Sequence, residues 1–238
     1  GMRTVTRSDL GIVLNLSPCT AATESVSDLQ DAKRRFDFVG RFFLDPLLRG
    51  CYPDSELPIP LPQVKAGDLE LIRQPIDFLG INYYFREWCS TSTPPVPAPC
   101  VQGVSEMGWE VYPEGLYELL KQIDQEYELP PVYISENGIA CADSVSADGA
   151  VHDPRRIAYL EQHLEALSRA MREGVTVKGY FHWSLMDNFE WAKGYSMRFG
   201  LIHIDYHTQQ CTLKDSALWY RDYIQRERLG AKQKEAML

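Results

Sequence analysis

The chain holds 238 residues, 24 Lys plus Arg against 33 Asp plus Glu, for a formal net charge of −9, with 45% of residues hydrophobic and 24% charged. That hydrophobic share, beside 16 Gly and 15 Pro, excludes collagen-like, low-complexity and disordered chains and requires a buried core. The acidic balance (pI ≈ 5.1) disfavours nucleic acid, whose binders need clustered cations to displace counterions, and no apolar run reaches the ~20 residues that span a bilayer.

In chain order, the pattern predicts a strand over 11–16, a helix over 27–48 capped by Ser27, and a shorter helix over 67–73. A strand over 77–84 and a helix over 114–127 follow, the latter with Leu116, Leu119, Leu120 and Ile123 on one face. Next come a strand over 131–136 and a helix from Asp153-Pro154 to about Glu173, with Pro near its start and Gly174 past its end. A strand over 177–184 and a helix over 214–228 complete the series. The strands are near-continuous apolar runs, which suits parallel strands buried on both faces. Alternation of strand and helix predicts βαβ units on a parallel sheet. Longer connections span 51–65 and 86–113, and connections of that length usually carry function.

Cysteines stand at 19, 51, 89, 100, 141 and 211. No C-x-x-C or short paired spacing joins them, so free and mostly buried thiols are expected, with neither a zinc site nor a disulfide framework. His203 and His207 are four apart, but Ile202, Ile204 and Tyr206 alternate with them as in a strand.

Two strings carry site chemistry. In Tyr133-Ile134-Ser135-Glu136-Asn137-Gly138, an apolar strand delivers a carboxylate at its C-terminal end, where ligands bind in parallel α/β folds. The same string also reads as a carboxylate capping a strand-to-loop turn, and on residue pattern alone that plainer reading stands slightly ahead. The second string runs from Trp183 through Asp187, Asn188, Phe189, Glu190 and Trp191 to Tyr195, Arg198, Asp205 and Tyr206. Indoles with carboxylates and amides suit a sugar, since the ring's C–H face lies on an aromatic plane while hydroxyls donate to carboxylates. Phe189 and Phe199 are read as packing; Trp183, Glu190 and Trp191 are the better site candidates.

Together these strings resemble glycoside hydrolase family 1, the β-glucosidase family. The resemblance covers nearly the whole chain in the family's order, through 11–18, 41–46 with 50–53, 77–84, 133–138 and 179–206. It implies half of a TIM (β/α)8 barrel, strands five to eight with their helices, forming one C-terminal half-barrel domain over 1–238. It further implies retaining hydrolysis of β-glycosides, with Glu136 as nucleophile and Tyr84 as the tyrosine that hydrogen-bonds it. Trp183 matches the platform under the glycone, Glu190 the carboxylate that grips two hydroxyls, Trp191 a neighbouring hydroxyl contact, and Asn82 the site edge. Glu190 would repel a phosphate, so a neutral glycone such as glucose, galactose or fucose is implied, and the carboxylate mechanism needs no metal or other cofactor.

The family's acid/base glutamate lies in a Thr-Phe-Asn-Glu-Pro-type string at the end of strand four, and no such string occurs here. Glu24, Glu56, Glu87, Glu106 and Asp187 are other carboxylates, none after a fourth strand. The upstream Gln, His-Trp and Arg of the glycone pocket are missing as well. A half barrel leaves two sheet edges and an apolar face to cover, so self-association or pairing with a complementary N-terminal half-barrel is expected. Three readings stand side by side: a β-glucosidase-type fragment with little activity alone, a non-catalytic sugar binder, and a structural half-barrel. The Gly1-Met2-Arg3 start has no apolar leader, and a cytoplasmic location is the expectation.

Overall fold

The computed structural model describes residues 7–55, 57–60 and 63–235. The Gly1-Met2-Arg3 start and Glu56 lie outside the described residues. Two compact units divide the chain, the first made of residues up to 103, 110–137 and 166–181, the second of 104–109, 138–165 and 182 onward.

The first unit is organised by a sheet of four strands, β1 (Gly11–Asn15), β3 (Phe78–Asn82), β5 (Val132–Asn137) and β6 (Val177–His182), in that spatial order. β1 pairs in parallel with β3, and β3 with β5; the Val132 amide at the start of β5 donates to the Thr176 carbonyl at 3.1 Å. Leu79, Ile81, Val132 and Ile134 are fully buried in the two middle strands. Burial on both faces does not extend to the two end strands of the sheet: Ile12 and Val13 of β1 are 39% and 49% exposed, and Phe181 of β6 is 58% exposed. A second, two-stranded parallel ladder, β2 (Cys19–Ala21) with β4 (Glu87–Cys89), adds short strands that the sequence pattern did not reveal.

The predicted helix over 27–48 is three pieces: α1 (Val26–Phe36), a π-helical turn (Asp37–Arg41) and α2 (Phe42–Leu48). Its cap is Ser25 rather than Ser27, since the Ser25 hydroxyl accepts from the Asp28 amide at 3.2 Å and occupies the position from which an oxygen reaches the third helical N–H. The π turn is fixed by Arg41, which donates to Asp37 at 2.5 Å and forks onto both oxygens of Glu126 at 2.9 and 2.7 Å. After α3 (Asp68–Ile72) comes α4 (Pro113–Glu126), with Leu116, Leu119, Leu120 and Ile123 all buried. A Cβ at Gly115 of α4 would sit 2.3 Å from the Tyr83 hydroxyl oxygen, so only glycine permits this approach.

α5 (Pro154–Arg172) runs through both units, its part up to Glu165 belonging to the second. The second unit also holds a 3-10 turn (Trp191–Lys193), an antiparallel pair of β7 (Ile202–Ile204) and β8 (Cys211–Leu213), and α6 (Asp215–Glu235). β7 carries His203 and the alternation expected around it. The cysteines are free, but only Cys89 and Cys141 are buried; Cys51 and Cys211 are exposed and the other two intermediate. No helix among the described residues is long and apolar enough to cross a membrane.

Candidate active site

Glu136 lies within β5, next to its C-terminal end, and a slip in the ladder aims it. Ile81 of β3 faces Ile134, but Asn82 faces Glu136, so Ser135 is an extra residue with no rung of its own. Such a bulge bends the strand and redirects the side chains that follow. The residues on either side of Glu136 hold the bulge: the Ser135 hydroxyl donates to Asn82 Oδ1 at 2.8 Å, and Asn137 Nδ2 donates to the Tyr83 carbonyl at 2.8 Å. Asn137 Oδ1 in turn accepts from the Tyr180 hydroxyl at 2.8 Å, and the Tyr83 amide donates to the Glu136 carbonyl at 2.9 Å. One buried amide side chain thus links β6, β5 and the end of β3.

Within this frame the Tyr84 hydroxyl donates to Glu136 Oε2 at 2.6 Å. A short bond to a carboxylate is the stronger, charge-assisted kind. Two residues beyond Tyr84, buried Arg86 anchors the chain by forking onto Glu110 at 2.8 and 2.9 Å. Its guanidinium also lies 3.8 Å from the Tyr112 ring centroid and 4.6 Å from that of Trp88. The structure therefore brings together Asn82, Tyr84 and Glu136 in the first unit.

Trp183, Glu190 and Trp191 belong to the second unit. Trp183 follows β6 directly, and a Cβ at Gly138 would fall 1.9 Å from the Trp183 carbonyl oxygen; this is why glycine follows Glu136-Asn137. Glu190 and Trp191 share the 3-10 turn, closed by the Glu190 amide donating to the Gly194 carbonyl at 2.7 Å. Trp191 has φ +38° and is 81% exposed. A large residue in the left-handed region costs about 1–3 kcal/mol, and here it holds an indole out in solvent. Phe189, read from sequence as packing, is 53% exposed and stands edge-on to Tyr195, whereas Phe199 is buried as expected.

The other carboxylates behave differently. Asp187 is not a spare acid: its Oδ1 accepts from the Gly200 amide at 2.9 Å and Lys214 Nζ at 2.8 Å, and its Oδ2 from Arg198 at 2.5 Å and the Ile204 amide at 3.4 Å. Lys214 also donates to Asp143 at 2.5 Å, Arg156 to Asp143 at 2.7 Å, and Arg156 also pairs with Asp153. Three cations and three carboxylates therefore balance inside the second unit and hold the loop that carries Glu190. Glu87 pairs with Arg35 at 3.1 Å, while Glu24 and Glu106 are exposed. The bulge at Ser135, the Arg86–Glu110 fork and the buried ion network are the parts that sequence reasoning missed. The unusual density of polar residues in 133–138 and 183–206 hinted at the bulge and the network, and nothing in the residue pattern hinted at the fork.

The sequence profile of Glycosyl hydrolase family 1 matches residues 2–229. Beta-glucosidase A of Acetivibrio thermocellus is 41% identical over 91% of this chain and 51% of its own length, and a bifunctional beta-D-glucosidase/beta-D-fucosidase of Bifidobacterium breve is 45% identical over 90% and 51%. The solved structure of a beta-glucosidase from Thermotoga maritima in complex with glucoimidazole superposes with a TM-score of 0.87 at 41% identity, covering 94% of this chain and 52% of that one. The chain spans about half the length of the curated relatives it matches, and its strand–helix alternation on a parallel sheet is that of half a barrel. On sequence and fold alike, the chain belongs to glycosyl hydrolase family 1.

Proposed function

We propose that this chain is the C-terminal (β/α)4 half of a retaining β-glucosidase-type enzyme, acting on neutral β-linked sugars and carrying the nucleophile but not the acid. The observation that carries the reading is the 2.6 Å hydrogen bond from Tyr84 to Glu136 at the bulged end of a parallel strand. Retaining hydrolysis needs one carboxylate to attack the anomeric carbon and a second carboxyl, about 5–5.5 Å away, to protonate the leaving oxygen. Glu136 supplies the first, and the second belongs to the Thr-Phe-Asn-Glu-Pro-type string that this sequence lacks. Trp183, Glu190, Trp191 and Asn82 form the glycone contacts in this reading, and relatives with glucosidase and fucosidase names support a neutral sugar.

Missing acid matters least when the leaving group needs no proton. A 2,4-dinitrophenyl 2-deoxy-2-fluoro-β-glucoside tests the reading: the Glu136 carboxylate forms an ester bond to the anomeric carbon as dinitrophenolate departs. Intact-mass and peptide analysis is expected to find the fluoroglucosyl group on Glu136 and none in Glu136→Gln. An unlabelled native chain overturns it.

A second reading, assembly with another half-barrel or a second copy, rests on the end strand β1, where Ile12 and Val13 are exposed beside an open ladder edge of the kind that templates pairing. Sedimentation at micromolar concentration is expected to show a dimer; a compact monomer refutes it.

A further inference from the structure

Cys19 and Cys89 lie on a diagonal across the β2–β4 ladder. Cys19 stands opposite Glu87 and Ala21 opposite Cys89; side chains alternate along a strand with period two, so both thiols lie on one face, two rungs apart. Both are free; Cys89 is buried and Cys19 half-buried, which leaves the pair one accessible member. The ladder is held in place from one side by Arg35 of α1, which reaches Glu87 at 3.1 Å. The Cys19 thiol donates to the Ser17 carbonyl at 3.8 Å, and the neighbouring Cys89 thiol, and then burial, pushes Cys19 up, while Cys19 lowers Cys89.

Geometry decides what such a pair can hold. Parallel strands lie about 4.8 Å apart and rise about 3.3 Å per residue, so a two-rung diagonal separates the Cα atoms by about 8 Å. That exceeds the ~7 Å beyond which a disulfide needs backbone movement. A soft atom bonded to both sulfurs at about 2.3 Å each, the zinc–thiolate length, allows a wider sulfur–sulfur separation than the ~2.05 Å of a disulfide.

We propose that Cys19 and Cys89 form a two-thiol site for a soft, thiophilic ligand of the trivalent arsenical class, bridged between the two sulfurs. With an arsine oxide, two S–H bonds and the As=O bond break, two As–S bonds form, and the oxygen leaves as water with both protons. No atom changes oxidation state. Bridging ties β2 to β4 on the segment that continues from Tyr84, so the ligand would stiffen the support of the Glu136 contact.

The test uses phenylarsine oxide on the full chain, followed by excess monothiol to strip adducts from single cysteines such as exposed Cys51 and Cys211. One phenylarsenic group per chain is expected to remain. Cys19→Ser and Cys89→Ser are each expected to weaken retention by about 100-fold or more, the gain usual for a second linked contact, and Cys51→Ser not at all. Because replacing buried Cys89 can disturb folding, peptide mapping of the unchanged protein supplies the second arm: the retained arsenic is expected to join the peptide containing Cys19 to that containing Cys89. No retained arsenic, full retention in Cys19→Ser, or a bridge to another cysteine overturns the proposal.

Discussion

Replacing Asp187 by Asn tests whether the buried ion network holds the second unit together. The side chains of Asp187, Lys214 and Arg156 are fully buried, Asp143 is nearly so, and Arg198 is 19% exposed. Asn preserves shape and one acceptor but removes a charge, so three cations then face two carboxylates. It also turns an N–H₂ group towards either Arg198 or Lys214, which can only donate. Removing one partner of a buried ion pair costs about 3–5 kcal/mol, a large part of the 5–15 kcal/mol that typically stabilises a folded protein. With a urea slope of about 3 kcal/mol/M for a chain of this size, the unfolding midpoint should fall by about 1–1.7 M. Adding Lys214→Met restores two cations against two carboxylates, and part of the loss should return. A fall below about 0.3 M, the size expected of an exposed pair, with no recovery in the double variant, would refute a network that acts as a unit.

Three further outcomes follow from single contacts. Tyr84→Phe removes a charge-assisted bond worth about 1.5–3 kcal/mol and is expected to slow fluoroglucosyl labelling of Glu136 by at least tenfold while lowering the urea midpoint by no more than about 1 M; an unchanged labelling rate would mean that Tyr84 only packs. Gly138→Ala places a methyl 1.9 Å from a backbone oxygen that cannot rotate away, so a loss at or above the upper end of the ~1–3 kcal/mol overpacking range is expected, and an unshifted unfolding midpoint contradicts it. The Thr91 hydroxyl and amide, and then the Thr23 hydroxyl, hold the Asp28 carboxyl down to about 2 from its ordinary 3.8. Between those values the unfolded chain binds the proton more readily, so this contribution is complete above pH ~4 and disappears as pH falls through ~2. Thr91→Val should move the Asp28 midpoint, followed by carboxyl NMR, upward towards 3.8; an unmoved midpoint would show that the Thr91 hydroxyl does not set it.

The elements easiest to read were those whose burial depends on their own residues. The runs at 77–84 and 131–136 lie in the middle of the sheet, where Leu79, Ile81, Val132 and Ile134 are buried and Tyr133 and Ser135 half-buried, so an apolar pattern marked them. The run at 11–16 looks the same on paper, but edge position is a property of the partner strands, and Ile12 and Val13 are exposed. Strands of three residues, as in β2, β4 and β8, are shorter than any window in which a period can be counted. The break at Asp37–Arg41 was hidden because apolar spacing persists through it; its cause is distant, since Arg41 is fixed by Glu126, 85 residues on. Asp187 was similarly opaque, for its partner Lys214 lies 27 residues away.

Chemistry of the carboxylates, rather than their number, separates their roles. A carboxylate that is to attack carbon has to be oriented while keeping a lone pair for the electrophile, and Glu136 receives its hydrogen bond from a neutral phenol on one oxygen. Its orientation comes mainly from the backbone, because Ser135 and Asn137 grip the neighbouring strands on either side of it. Asp187 shows the opposite arrangement, with two cations and two amides spread over its two oxygens and none of its roughly four lone-pair sites left for a substrate. Glu136 lies near the end of β5 and Asp187 in the loop after β6, and both read as an acid next to Asn in the sequence. What distinguishes Glu136 from Asp187 is the charge of their donors, and that is set by residues elsewhere in the chain. A Glu at residue 187 would have to push an extra methylene into a site closed by Gly200, where a Cβ would already lie 2.1 Å from the Asp187 amide nitrogen. The short side chain of Asp187 is therefore fitted to anchoring the loop around it.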